Sequence, residues 1–117
     1  MNISQSDLSR DLATPPHTVT VARGNIYLLR ETCDTYLSGI QAVALVERNQ
    51  RILIVPLIQE SGGGLLLKIR SARGDRVIHA QEFFRQNDFV EDFLERNVSV
   101  GWSTEEAALV LSGVPKR

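Results

Sequence analysis

The side chains best equipped for chemistry are scattered along this chain. His17, Cys33 and His79 are its strongest metal-ligating or nucleophilic groups, and they stand far apart. A metal site needs ligands at short fixed spacings or in a cluster, and a nucleophilic Cys33 needs a base beside it. The carboxylates Glu91, Asp92, Glu95, Glu105 and Glu106 read as the polar sides of two C-terminal helices. Acid–base work would instead need carboxylates in a cleft with their pKa values driven apart. Gly62-Gly63-Gly64 follows an apolar run, as a phosphate loop does. It leads into Leu65-Leu66-Leu67 and not into the Lys-Ser/Thr pair that opens a phosphate-binding helix. The sequence therefore assigns no catalytic residue, no metal ligand and no cofactor.

Charge distribution says more. Residues 61–86 hold five basic and two acidic side chains, residues 87–117 three basic and six acidic, and residues 1–60 five basic and six acidic. Lys68, Arg70, Arg73, Arg76 and His79 are the candidate polyanion-binding residues, since clustered cations track phosphates. The stretch lacks interleaved aromatics for base stacking, so a solvated face, or ion pairing with the acidic C-terminal helices, is the plainer account. Arg73-Gly74-Asp75 spells a tripeptide bound by adhesion receptors, a match expected by chance in a turn.

These residues sit on elements that the apolar periodicity outlines. Residues 1–16 are polar, end in Pro15-Pro16 and read as a flexible tail. His17–Arg30 alternates like a hairpin with Gly24-Asn25 at its turn. Thr32 is placed to cap a short helix over Cys33–Ser38, closed by Gly39. Val43–Ile58 reads as a second hairpin turning at Asn49-Gln50, with Val46 opposite Leu53 and Ala44 opposite Val55. It is apolar on both faces, and Pro56 requires an edge or a kink there. Gln59–Gly64 is a flexible connector. Leu65–Ala80 reads as a third hairpin with Gly74-Asp75 at the turn, pairing Ile69 with Ala80 and Ser71 with Ile78. Its inner face is Leu65, Leu67, Ile69, Ile78 and Ala80, and its outer face Leu66, Lys68, Arg70, Val77 and His79. Helices are expected over Gln81–Gln86, with Phe83 and Phe84 inward, and over Phe89–Arg96. Val98–Trp102 is β-like. A capping box of Ser103 and Glu106 predicts a last helix over Thr104–Leu111, ending at Gly113.

Residues 42–56, AVALVERNQRILIVP, resemble the strands that open a Nudix hydrolase domain. That family hydrolyses nucleoside diphosphates linked to another group, and its metal site needs a helix carrying several convergent carboxylates. Leu-Leu-Leu-Lys-Ile-Arg stands after Gly64 in this chain, so the hydrolase assignment is not made.

These readings combine into an α+β fold: a mainly antiparallel sheet of about five or six strands in consecutive hairpins, with C-terminal helices packed on one face. Its 117 residues bound it to a tail (1–16) and a single domain (17–114). A net charge of −1 supplies no global pull toward nucleic acid. The lone Cys33 suits a reducing compartment. No apolar run approaches the ~18 residues of a membrane span, and the acidic N-terminus lacks a signal-peptide block. The expected location is the cytoplasm. The apolar second hairpin predicts a homodimer. The leading functional expectation is a non-catalytic interaction or regulatory module. Its alternatives are a nucleic-acid-binding domain using the outer face of the 65–80 hairpin, and a small enzyme built around Cys33.

Overall fold

The computed structural model describes residues 18–58, 63–91 and 94–117. The expected N-terminal tail and most of the expected connector lie outside them. The elements are β1 (Thr18–Ala22), β2 (Asn25–Leu28), α1 (Arg30–Tyr36), β3 (Ala42–Arg48), β4 (Arg51–Leu57), β5 (Leu65–Leu66), β6 (Lys68–Ile69), β7 (Arg76–His79), α2 (Gln81–Gln86), β8 (Arg96–Ser103) and β9 (Ala108–Ser112). All nine strands join one antiparallel sheet in the order β5-β3-β4-β9-β8-β1-β2-β7-β6.

The two edges of that order, β5 and β6, are consecutive in the chain and separated only by Leu67. One short segment therefore pairs with β3 through Leu65 and Leu66, and with β7 through Lys68 and Ile69. The Leu67 N–H carries the first ladder one step further by donating to the Gln41 carbonyl at 2.9 Å. The sheet is thereby wrapped into a nearly closed barrel, which removes the exposed edges that invite unwanted pairing. Gly64 makes the approach possible: a Cβ there would stand 2.5 Å from Leu57 Cδ1 and 3.2 Å from the Val43 carbonyl oxygen.

This architecture replaces the expected α+β sheet of five or six strands with helices on one face. The decisive error lies at the C-terminus. Glu106 N–H does donate to Ser103 Oγ at 3.1 Å, as the capping box requires. The bond serves a hairpin turn instead of a helix start, because Ala107 follows in the left-handed region at φ 54° and reverses the chain. Ala108–Ser112 then inserts between β4 and β8, where Ala108, Leu109 and Leu111 are fully buried. A short apolar run fits helix or buried strand equally well, and the open slot in the sheet decides. No helix forms at Phe89 either. Phe89 bridges to Lys116, Leu94 is 70% exposed, and β8 begins at Arg96. Asp92 and Phe93 of that expected helix lie outside the described residues.

Other expectations match. Asn49 and Gln50 form the β3–β4 turn, with Val46 opposite Leu53 and Ala44 opposite Val55. Pro56 lies beyond the last β4–β9 pair, Ile54 with Leu109, so its missing N–H breaks no ladder on that side. In the first hairpin the turn is Arg23-Gly24, one residue earlier than expected. Both have positive φ, 53° and 80°, the type I′ geometry that suits strand twist.

Interior positions alternate along each strand. Val19, Val21, Ile26, Leu28, Val43, Ile52, Ile54, Ile78, Val100, Leu109 and Leu111 belong to one core. The register places α1 and α2 at opposite ends of the β2–β7 ladder, since Leu28 pairs with Arg76 and Asn25 with His79. α2 sends Phe84 into one end of the core, 5.7 Å from Phe89. α1 sends Cys33 into the other, and Leu37 follows it there. Tyr36 of α1 stacks on Trp102 of β8 at 6.2 Å. The outer face of the β3–β4 hairpin gives the expected dimer no support. Leu53 on that face is buried within one chain, and Ala44, Val46 and Val55 are half-buried.

Candidate functional site: a cleft between α1 and the closing segment

The chain leaving α1 runs through Ser38, Gly39 and Gln41 before entering β3. The closing segment crosses opposite it. Between them lies a cleft of about 550 Å³, within the size range of small-ligand sites. Buried Cys33, Leu37 and Leu67 form its base, and Ile40, Leu66 and Ile69 its apolar walls. Leu66 and Ile69 are 58% and 69% exposed. Asp34, Lys68 and Arg76 bring charge to it.

Arg76 is the unusual member. β7 alternates, and Arg76 occupies the same face as fully buried Ile78, opposite Leu28. A guanidinium thus takes an inward-facing position at the barrel end that α1 covers. Its Nη1 donates to the Leu67 carbonyl at a long 3.4 Å. Its Nε is buried and has no hydrogen-bond partner. A buried donor left unmatched costs about 1–3 kcal/mol. Nε itself is covered in this structure, so an acceptor brought from outside would stabilise it only with a shift of the guanidinium toward the cleft that Arg76 lines.

α1 is fixed from a distance. The expected Thr32 cap is not made: the helix starts three residues earlier than expected and has no local side-chain cap. Asp75 supplies one instead, its Oδ1 accepting the Arg30 N–H at 2.9 Å. Arg73 reaches Asp75 at 3.1 Å and both carboxylate oxygens of Glu31 at 2.7 Å. The Arg73-Gly74-Asp75 tripeptide is therefore consumed internally, with Asp75 only 8% exposed. Asp34 faces solvent and pairs with Arg30 at 3.3 Å.

The five expected polyanion-binding residues do not converge. Lys68 and Arg76 reach the cleft. Arg70 lies over the Tyr27 ring at 4.7 Å, Arg73 is spent on Glu31 and Asp75, and His79 Nδ1 sits 3.3 Å from Asn25 Oδ1. The pairing explains the dispersal. Ile69 faces Arg76 where Ala80 was expected, because Arg70 N–H closes a longer loop on the Asp75 carbonyl at 2.8 Å. The slip is an even number of residues, so Lys68 and His79 stay on one side of the ladder and Ile69 and Arg76 on the other, where Ile69, expected inside, lies 69% exposed at the cleft mouth. Arg76 could have been found: carrying the Ile78–Ala80 alternation two residues back places it inside. Nothing in the sequence pointed to α1 as the second wall.

Burial pushes the Cys33 thiol up to about 11, opposed in part by the Arg76 charge and reinforced by Asp34 and Asp75. It is a protonated, apolar surface of the cleft at neutral pH, without nucleophilic character. Among the described residues no group of His, Cys, Asp and Glu is placed to hold a metal ion, and no helix is long and apolar enough to cross a membrane. A second, smaller hollow of about 230 Å³ on the outer face involves Thr20, Tyr27, Arg70 and Asn97. Its polar groups are engaged with one another, Thr20 Oγ1 donating to Asn97 Oδ1 at 2.8 Å.

Comparison with protein-family models, with curated proteins and with solved structures gives no match, so the Nudix resemblance of residues 42–56 gains no support.

Proposed function

We propose that this protein is a non-catalytic interaction module that receives a small ligand in the cleft between α1 and the closing segment. The observation that carries the reading is Arg76, a cation on the inner face of the barrel whose buried Nε has no acceptor among the protein's described groups. Apolar walls next to a few polar groups are the usual composition of a binding site. The catalytic alternative built on Cys33 loses its support, because that thiol is held protonated. In the nucleic-acid alternative Lys68, Arg70 and His79 share the outer face, but Arg70 lies over the Tyr27 ring and so covers it against base stacking.

The anilinonaphthalene sulfonate dye, apolar with one anionic group, is a suitable first probe. The native chain should bind it saturably, with amide shift changes concentrated at residues 37–41 and 66–69. No saturable binding, or changes centred elsewhere, would remove this reading.

A further inference from the structure

We infer that the ligand of this cleft is a carboxylate carried on a short aliphatic chain. The inference rests on the cleft being a binding site and adds the chemistry of its occupant.

The head group follows from Arg76. Its Nη1 is turned to the Leu67 carbonyl. That leaves the opposite edge of the guanidinium, the one that contains the unpartnered Nε. This edge carries two parallel N–H bonds, the geometry that a planar carboxylate matches with its two oxygens, and a shift of the guanidinium toward the cleft is needed to bring the buried Nε to a ligand. Lys68 borders the cleft through the closing segment, paired with Val77 on the other side of the ladder from Arg76. The one acid there, Asp34, is drawn toward Arg30 on the surface at 3.3 Å. The site is thus short of negative charge, and a single anion balances it better than a neutral or cationic ligand.

The tail follows from the walls. Leu37, Ile40, Leu66, Leu67 and Ile69 line the same cleft as Arg76. Leu66 and Ile69 are among the most exposed large apolar side chains of the described residues. An aliphatic chain lying between them removes its own apolar surface and theirs from water together. The Cys33 thiol, protonated and uncharged, adds apolar surface beside the guanidinium.

Competition against the bound dye tests this. Octanoate should displace it, and octanol and octylamine should do so at least tenfold more weakly. From butyrate to octanoate each added CH₂ should tighten binding by about fourfold. Octyl phosphate should compete less well than octanoate, since one fork matches two coplanar oxygens. Arg76→Met should weaken octanoate at least tenfold while leaving octanol within twofold, which also shows that the variant is folded. Arg76→Lys, which keeps the charge and loses the fork, should recover little of the loss. If the dye binds in the cleft and octanoate fails to displace it, the site stands and the carboxylate is wrong. Equal competition by octanol overturns the anionic head, equal or better competition by octyl phosphate overturns the planar one, and a flat chain-length series overturns the tail. Full octanoate affinity in Arg76→Met overturns the role of Arg76.

Discussion

The carboxylate of Asp75 accepts the backbone N–H of Arg30 at 2.9 Å, joining the loop before β7 to the first turn of α1. Helix starts leave backbone N–H groups without partners, and a negative charge there also meets the positive end of the helix dipole. Here the cap arrives from 45 residues away in sequence. Arg73, braced between Glu31 and Asp75, reinforces it. Both walls of the cleft depend on this junction, because Arg76 follows Asp75 directly and α1 begins at Arg30.

That junction makes stability acid-sensitive in a stated direction. The Arg30 N–H holds the Asp75 carboxyl below its ordinary pKa against the opposing effect of burial, with Arg73 and Ser71 helping. Hydrogen bonding to its own backbone N–H, then Arg73, holds Glu31 below its ordinary value. Each group binds a proton less readily in the folded chain than in the unfolded one. Their contribution is therefore complete above the ordinary carboxylate range and is lost as the pH falls through and below about 4. Asp75→Asn keeps an acceptor for Arg30 and removes the charge, so urea midpoints should fall at pH 7 and converge with the parent near pH 2. Asp75→Ala should fall further, since the Arg30 N–H then loses its partner. A constant gap between parent and Asp75→Asn from pH 7 to pH 2 would exclude this account.

Gly24 should tolerate no side chain. Its φ is 80°, and a Cβ would lie 2.8 Å from Gln81 Cγ and 3.0 Å from Gln81 Cα. The second contact is with the backbone that opens α2, held in place by the Ala80 N–H donating to the Gly24 carbonyl at 3.0 Å. Gly24→Ala should cost about 1–3 kcal/mol, read as a lower urea midpoint with an unchanged slope. A variant as stable as the parent would show that the turn and α2 are free to separate.

Gln50 offers the opposite opportunity. Asn49 and Gln50 both have positive φ, 56° and 67°, in the tight β3–β4 turn. Asparagine is at ease there and glutamine is not. Gln50→Gly removes the strain and keeps the backbone N–H that donates to Glu47 Oε2 at 2.9 Å. A gain of about 0.5–1 kcal/mol is expected once glycine's extra unfolded-state freedom is subtracted. A loss in the same unfolding experiment would mean that the glutamine side chain contributes something the turn geometry does not reveal.

Residues that report on local geometry were readable from the sequence. Asn49-Gln50 between two apolar runs fixed the register of β3 on β4, and Phe84 emerged as a buried residue of a short helix. Residues whose state depends on distant partners were not. Ala108–Leu111 carries a helix-like signal that yields to a vacant place between β4 and β8. Lys68, Arg70 and His79 read as one basic outer face, until Tyr27 engaged Arg70 and Asn25 met His79. Leu67 looks like any core leucine, and its place as the link between two sheet edges depends on β3 and β7 being on either side of it. The cleft belongs to this second class, because its two walls come from parts of the chain that meet only once the barrel closes.

Cys33 gives a direct reading of that closed end. Its thiol is raised to about 11 mainly because it is buried, with the Arg76 charge opposing the rise. Alkylation needs the thiolate, so at pH 8 the native chain should react with iodoacetamide about two hundredfold more slowly than an ordinary cysteine, before any steric shielding. The rate should climb about tenfold per pH unit toward 11, and should become ordinary in concentrated urea. Arg76→Met removes the opposing cation, so its profile should lie at higher pH still. A native profile that levels off near 8.5 would mean that the thiol is solvated and the α1 end of the barrel is open. A native profile as predicted, unmoved by Arg76→Met, would instead place the guanidinium away from Cys33 and detach it from the base of the cleft.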